Sequence, residues 1–258
     1  MEVHAHTHTP RKKWTHYFWE FLMLFLAVFA GFLAENQREH YIENQRAKAL
    51  AKNLYKELYT DSITVAQCML NRSLKEKECA YFIDYVKDSN LSNVSARFFP
   101  AFTSALIQIQ GIIFEPNDGI LNQLRNSGEL RYFKSSELQA DIGKLSVKIA
   151  HARSRNDREY SYVEFYNRPF ILKHFDFKWY EAYTRNGAMP LIEALKQNIQ
   201  VPAPAKIVNP DKFNRQEGEN VASYYLLMLR STRQIQYKDY ADANHHVLEL
   251  LRKEFHLK

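Results

Sequence analysis

At 258 residues, with only seven glycines and eight prolines, the chain is too poor in turn formers for a many-stranded sandwich. It is long enough for one large helical domain, or two small ones, beside an anchor. Its net charge of +6 is spread, with Lys and Arg interleaved among Asp and Glu, whereas a nucleic-acid binder clusters its basic residues.

Sixteen Tyr and seventeen Phe imply a core or an interface built from large rings. The expected class is all-α: one N-terminal transmembrane helix running on into a stalk, then a helical-bundle domain. Residues 1–13 read as a disordered tail with His4, His6 and His8 at alternate positions, followed by the basic group Arg11, Lys12 and Lys13. Alternating imidazoles can hold a transition metal, but without further ligands such a site is weak.

Residues 14–34, WTHYFWEFLMLFLAVFAGFLA, read as a membrane helix. From Tyr17 the run carries one charge, Glu20, and rises roughly 27 Å as a helix, against roughly 30 Å of bilayer hydrocarbon. Its Leu, Phe and Val side chains each favour insertion by about 0.3–0.6 kcal/mol. The competing reading is a cleaved signal peptide, with the basic group as its head and Val28-Phe29-Ala30 as a cleavage site. The apolar run continues past that point through Phe32 and Leu33, which favours an uncleaved anchor. Basic residues in the short tail favour a cytoplasmic N-terminus and an extracytoplasmic C-terminal domain.

Within the anchor, Ala27 and Gly31 stand four apart, as do Ala30 and Ala34, a spacing that lets helix backbones approach in lipid. On a helical wheel Ala27, Gly31 and Ala34 fall within about 40° of Glu20. The one carboxylate thus shares a stripe with the small residues. The expectation is a homo-oligomer seam of Glu20, Ala27, Ala30, Gly31 and Ala34. The alternative has Glu20 snorkelling to the headgroups beside Trp14, Tyr17 and Trp19.

No Gly or Pro interrupts residues 35–87, so the helix is expected to continue as a stalk with coiled-coil character. Leu50, Leu54 and Leu58 form one apolar line, and Tyr55, Tyr59, Ile63, Ala66 and Leu70 an adjacent one. Cys68 and Cys79, on one face but about 16 Å apart along a helix, are expected to be unpaired core thiols. Residues 88–95 read as a loop, Pro100 as a second break, and 101–114 as an almost wholly buried helix.

Pro116-Asn117-Asp118-Gly119 signals a turn, in which Asn117 or Asp118 caps a short helix carrying Ile120, Leu121 and Leu124. Asn126-Ser127-Gly128 then supplies a stop. Asn117, Asp118, Gly119, Ser127 and Gly128 form a candidate binding corner, unless the unit is only a corner between core helices. A second long helix is expected from Ser135 to Arg168, before Pro169.

Residues 170–183 are dense in rings. His174, Asp176, Tyr180 and Glu181 can be drawn as an acid–base set, against the plainer reading of an aromatic core patch. The expected layout is stalk and bundle over 35–200, a Pro-rich linker over 201–217, and an amphipathic helix over 218–258 packing on the bundle. On that last helix His245, His246 and Glu249 make a weak candidate metal face. Two ligands on one helix do not make a site, and no metal or cofactor is expected.

Three pieces together carry a resemblance: the His-bearing basic tail, EFLMLFLAVFAGFLAEN at 20–36 with REH at 38–40, and FEPNDGILNQLRNSGEL at 114–130. They resemble an uncharacterised family of single-span bacterial membrane proteins with such an anchor and a similar EPND-to-SG-L stretch. The match covers the first half of the chain, and the second half only in general character. It implies an anchored helical domain outside the cytoplasm and brings no catalytic residues.

The expected function is a membrane-anchored interaction or sensor-like module of the bacterial envelope. It would lie in the inner membrane, with lipid, a second copy and an envelope protein as partners. The alternatives are an ion-coupled, stator-like subunit that uses Glu20 with a polytopic partner, and a helical metal-dependent hydrolase.

Overall fold

The computed structural model describes residues 14–95, 97–109, 111–185 and 206–257. The histidine tail and the first five residues of the Pro-rich linker, 201–205, lie outside them. Every regular element among the described residues is helical. The chain divides into two compact units between Leu50 and Ala51, later than the expected boundary at the end of the apolar run.

Helix α1 spans Trp14–Asp88 without interruption, as the absence of Gly and Pro from residues 35–87 predicts for its second part. In the first unit its apolar run is solvent-exposed from Phe21 to Leu33 apart from half-buried Leu22. It is the one helix among the described residues long and apolar enough to cross a membrane.

In the second unit α1 buries one line of side chains: Leu54, Leu58, Asp61, Val65, Cys68, Arg72, Lys75, Cys79, Phe82 and Val86. The alternation of four and three residues is that of a heptad seam. Apolar members at either end flank Asp61, Arg72 and Lys75 in the middle. The expected second apolar line is overturned, since Tyr59, Ile63, Ala66 and Leu70 face solvent. Three buried charged positions displaced the seam from where hydrophobicity alone puts it.

Helix α2, Phe98–Ile107, is shorter than expected and ends in a wide π turn at Thr103–Ile107. Pro100 sits inside its first turn, where a missing N–H costs nothing, so it does not break the chain there. After α2 the described residues 108–109 and 111–118 are non-helical, and α3, Gly119–Asn126, follows. Gly128, at φ 72°, supplies the left-handed stop that glycine adopts without steric penalty.

Helix α4, Ser136–Tyr162, is capped by the Ser135 hydroxyl, which accepts from Leu138 N at 3.1 Å. The expected end before Pro169 is also corrected. A π turn at Val163–Asn167 carries the chain directly into α5, Arg168–His174. The widened turn accommodates the proline ring, which would otherwise clash with the carbonyl four residues back.

Helix α6, Phe177–Arg185, starts at Asp176, whose carboxylate accepts from the backbone N–H groups of Lys178 and Trp179. Helix α7 begins at Arg215, three residues inside the expected linker, because Asn214 caps it by accepting from Glu217 N. It runs to Ser231, passes through a π turn at Thr232–Tyr237, and continues as α8, Lys238–Phe255. Helix α8 packs along α4.

The aromatic expectation holds for part of 170–183. Phe170 and Phe175 are buried with Phe82, Phe98, Phe99, Phe102 and Phe213 in one core cluster, whereas Phe177 is exposed. Tilted and edge-on pairs such as Phe102–Phe175, at 5.2 Å, use the favourable ring geometry.

Candidate functional site

The last turn of α2 and the non-helical segment after it, described at 108–109 and 111–118, pass through the interior of the second unit, and a helix end and a non-helical chain there have carbonyls that no helix ladder satisfies. Side chains of α1 take them in order. Lys75 Nζ donates to Ser104 O and Gln108 O, each at 2.6 Å. Asn71 Nδ2 donates to Gly111 O at 2.8 Å, and Arg72 Nη1 to Ile112 O at 2.7 Å. The thiols of Cys68 and Cys79 lie 3.5 Å from Ile113 O and Ala105 O. From the other side Asn156 Nδ2 donates to Phe114 O, and Tyr237 Oη accepts from Phe114 N while donating to Asn156 Oδ1. This clasp is why charged residues occupy a heptad seam.

Charge balance in the clasp comes from Glu159 on α4. Its Oε1 accepts from Arg72 Nη2 at 2.5 Å and from the Thr232 hydroxyl, with Arg155 Nε at 3.8 Å. Burial works against the Arg72 charge, but the neighbouring Glu159 more than offsets it and raises the Arg72 pKa. No carboxylate among the described residues pairs with Lys75, and burial lowers its pKa to about 8. Burial also pushes the Cys79 thiol up to about 12, so it is no ready nucleophile. Both cysteines are free, as their spacing along one helix predicts.

The EPND turn is tied down by a second group of contacts. Asp61 Oδ2 accepts from Asn117 N at 2.9 Å and from Tyr240 Oη at 2.7 Å, while Oδ1 accepts from Asn117 Nδ2. Burial raises the Asp61 carboxyl above its usual range in spite of these bonds. Asp118 precedes α3 but does not cap it with its side chain. Its carboxylate binds Arg153 Nη1 at 2.6 Å, and that bond lowers its pKa. The cap comes instead from α1, where Glu57 Oε2 accepts from Ile120 N.

Asn117 and Asp118 are thus engaged with α1 and α4, and Gly119 leaves room for Glu57, whose Oε2 would lie 3.4 Å from an added Cβ. Ser127 bonds only to its neighbours Gln123 and Glu129, and Gly128 is exposed. Asp61→Ala removes the acceptor for three donors, of which Tyr240 Oη is fully buried and costs about 1–3 kcal/mol while the two part-buried Asn117 groups cost less. A loss of about 2–4 kcal/mol in chemical denaturation is expected, with Asp61→Asn losing less.

The other sequence candidates are scattered. His174 packs against the rings of Phe170 and Phe213, Asp176 caps α6, and Glu181 pairs with Arg185. That is an aromatic core patch beside a cap, without acid–base geometry. His245 pairs with Glu249 at 3.3 Å, whereas His246 reaches Asp141 on α4 at 2.8 Å.

In the first unit Glu20 lies 3.1 Å from His16 one turn earlier. Ala27, Ala30, Gly31 and Ala34 are exposed on α1, and a Cβ at Gly31 would meet nothing within 4 Å. The residues that sequence reasoning missed are Asp61, Arg72, Lys75 and Glu159. For the three on α1 the one signal was charge recurring at heptad spacing on a face otherwise apolar, and Glu159 on α4 carried no such signal. No family model, curated protein or solved structure matches the chain.

Proposed function

We propose that this protein is a single-pass, membrane-anchored interaction or sensor-like module of the bacterial envelope. In this reading its N-terminus is cytoplasmic, its helical domain lies outside the inner membrane, and it works as a homo-oligomer. The observation that carries the proposal is the apolar run of α1. An 18-residue window of it has no residue buried within the protein, and lipid is the solvent such a surface fits.

Two further features support an interaction role. The clasp side chains are spent on holding the fold rather than facing a substrate. Large apolar groups remain exposed on the second unit, with Tyr59, Ile63 and Leu70 on α1 and Phe165 and Tyr166 on the π turn after α4. Apolar surface of that kind marks docking faces when it is contiguous.

Carbonate washing is expected to leave the full-length chain in the membrane, and a C-terminal alkaline phosphatase fusion is expected to be active. Release by carbonate, or fluorescence only from a cytosolic C-terminal reporter, would refute the anchor or its orientation. Gly31→Leu has room in the isolated helix, so membrane levels should hold while chemical cross-linking between copies falls sharply. Co-purification of a polytopic partner that is lost with Glu20→Ala would favour the ion-coupled alternative instead.

A further inference from the structure

Glu137 and Asp141 lie four residues apart on α4, so their side chains rise from one face of the helix. His246 comes from α8, which packs along α4. One ligand atom from each residue falls within 4.8 Å of the other two. His246 Nε2 is 2.8 Å from Asp141 Oδ2 and 3.9 Å from Glu137 Oε1. A tetrahedral zinc with bonds of roughly 2.0–2.1 Å sets its ligand atoms about 3.3 Å apart. The two observed distances bracket that spacing.

Asp141 is nearly buried, which gives the set one firmly held donor, while Glu137 and His246 are open to solvent. Lys144 Nζ holds the other Asp141 oxygen, Oδ1, at 2.6 Å, leaving Oδ2 turned toward His246.

We propose that Glu137, Asp141 and His246 bind one divalent transition ion of the zinc class, which clamps α4 to α8. One imidazole nitrogen and two carboxylate oxygens suit zinc or manganese, and three protein ligands leave a position for water. The site is distinct from the weak His245–Glu249 face, because His245 is engaged with Glu249 on the same helix and is not among the three grouped residues. Lys144 works against the ion by its charge and by competing for Asp141.

The test uses the full-length chain in detergent with His4, His6 and His8 changed to alanine, so that the tail contributes no ligand. Equilibrium dialysis against zinc chloride followed by metal analysis is expected to show one bound equivalent. Cobalt(II) in its place should give visible absorption in the range of low-coordinate sites. His246→Ala should weaken binding by at least about tenfold, the scale on which even indirect partners of a metal act, and Glu137→Gln should weaken it as well. His245→Ala should leave it unchanged, and Lys144→Met should tighten it.

Zinc should also raise the melting temperature of the parent but not of the His246→Ala chain, since only a ligand that prefers the folded state stabilises it. His246 is half-exposed, so this variant retains its fold, and Glu137→Gln repeats the test at a second exposed position. No retained zinc in the parent would overturn the proposal. So would equal retention by parent and His246→Ala, or loss with His245→Ala in its place.

Discussion

Glu159→Ala is expected to destabilise the helical domain by about 3–5 kcal/mol, the cost of leaving a buried charge without its counter-ion. Arg72 is fully buried and Glu159 is its one carboxylate partner among the described residues. Its remaining anchors are the Ile112 carbonyl and the face of the Tyr237 ring, 4.9 Å from the guanidinium carbon. Against a total stability of about 5–15 kcal/mol for an ordinary domain, the loss is severe.

Arg72→Met should cost less, because Glu159 keeps the Thr232 hydroxyl and Arg155. It nevertheless frees the Ile112 carbonyl, so it will not be neutral. Combining the two changes should cost less than the sum of the singles, since the second removes the charge that the first stranded. Urea denaturation of the four chains of this cycle measures the coupling. Additivity would mean that the pair does not act as a unit.

Lys75 makes the second large prediction, and its sign is that of an acid-sensitive carboxylate moved to alkaline pH, with stability rising as the pH rises. The folded-state value is about 8, below the ordinary 10.5, because burial disfavours the ammonium. Between those values the unfolded chain holds a proton that the folded chain has released, so stability rises with pH. The slope is at most about 1.4 kcal/mol per pH unit, and the whole window is worth about 3 kcal/mol.

Below pH 8 both states are charged and the Lys75 contribution is flat. From about pH 9 the Cys79 thiol acts in the other direction, since it ionises when unfolded but only near 12 when folded. Burial raises the phenols of Tyr225, Tyr237 and Tyr240, which adds to that decline above pH 10. Stability should therefore climb from about pH 8 to 9, level off and then fall. Lys75→Met should remove the climb and keep the fall, whatever it costs at neutral pH through the freed Ser104 and Gln108 carbonyls. A wild-type profile that declines steadily from pH 8 would show that Lys75 is not held as described.

The two predictions share one cause. A non-helical connector follows α2 through the interior, and its carbonyls, with that of Ser104 at the end of α2, are met by the amide, ammonium and guanidinium groups of α1. Buried charge of this kind costs stability compared with a hydrocarbon seam. Here it makes one register of α1 the only one that satisfies the connector, since a shift along the helix strands at least four carbonyls together.

How much of this was legible in the sequence depends on the range of the interaction. The apolar run, the unbroken α1, the all-α class and the unpaired thiols follow from neighbours within a few turns of helix. There, periodicity and the distribution of Gly and Pro decide the outcome. The stop at Gly128 and the cap at Ser135 are local in the same sense.

Tertiary contacts decided the rest. Arg72 meets the Ile112 carbonyl 40 residues away and Glu159 87 residues away, and nothing near Arg72 announces either. Its charge instead made that face of α1 look solvated, so the exposed line through Tyr59, Ile63 and Leu70 was mistaken for core. Pro169 looked like a terminus because a π turn is not encoded by any one residue. His246 was grouped with His245 because they adjoin in sequence, whereas the packing of α8 on α4 sends it to Asp141. Local pattern fixes which residues are helical, but buried polar groups must be satisfied wherever the chain brings partners, and only the folded chain contains that information.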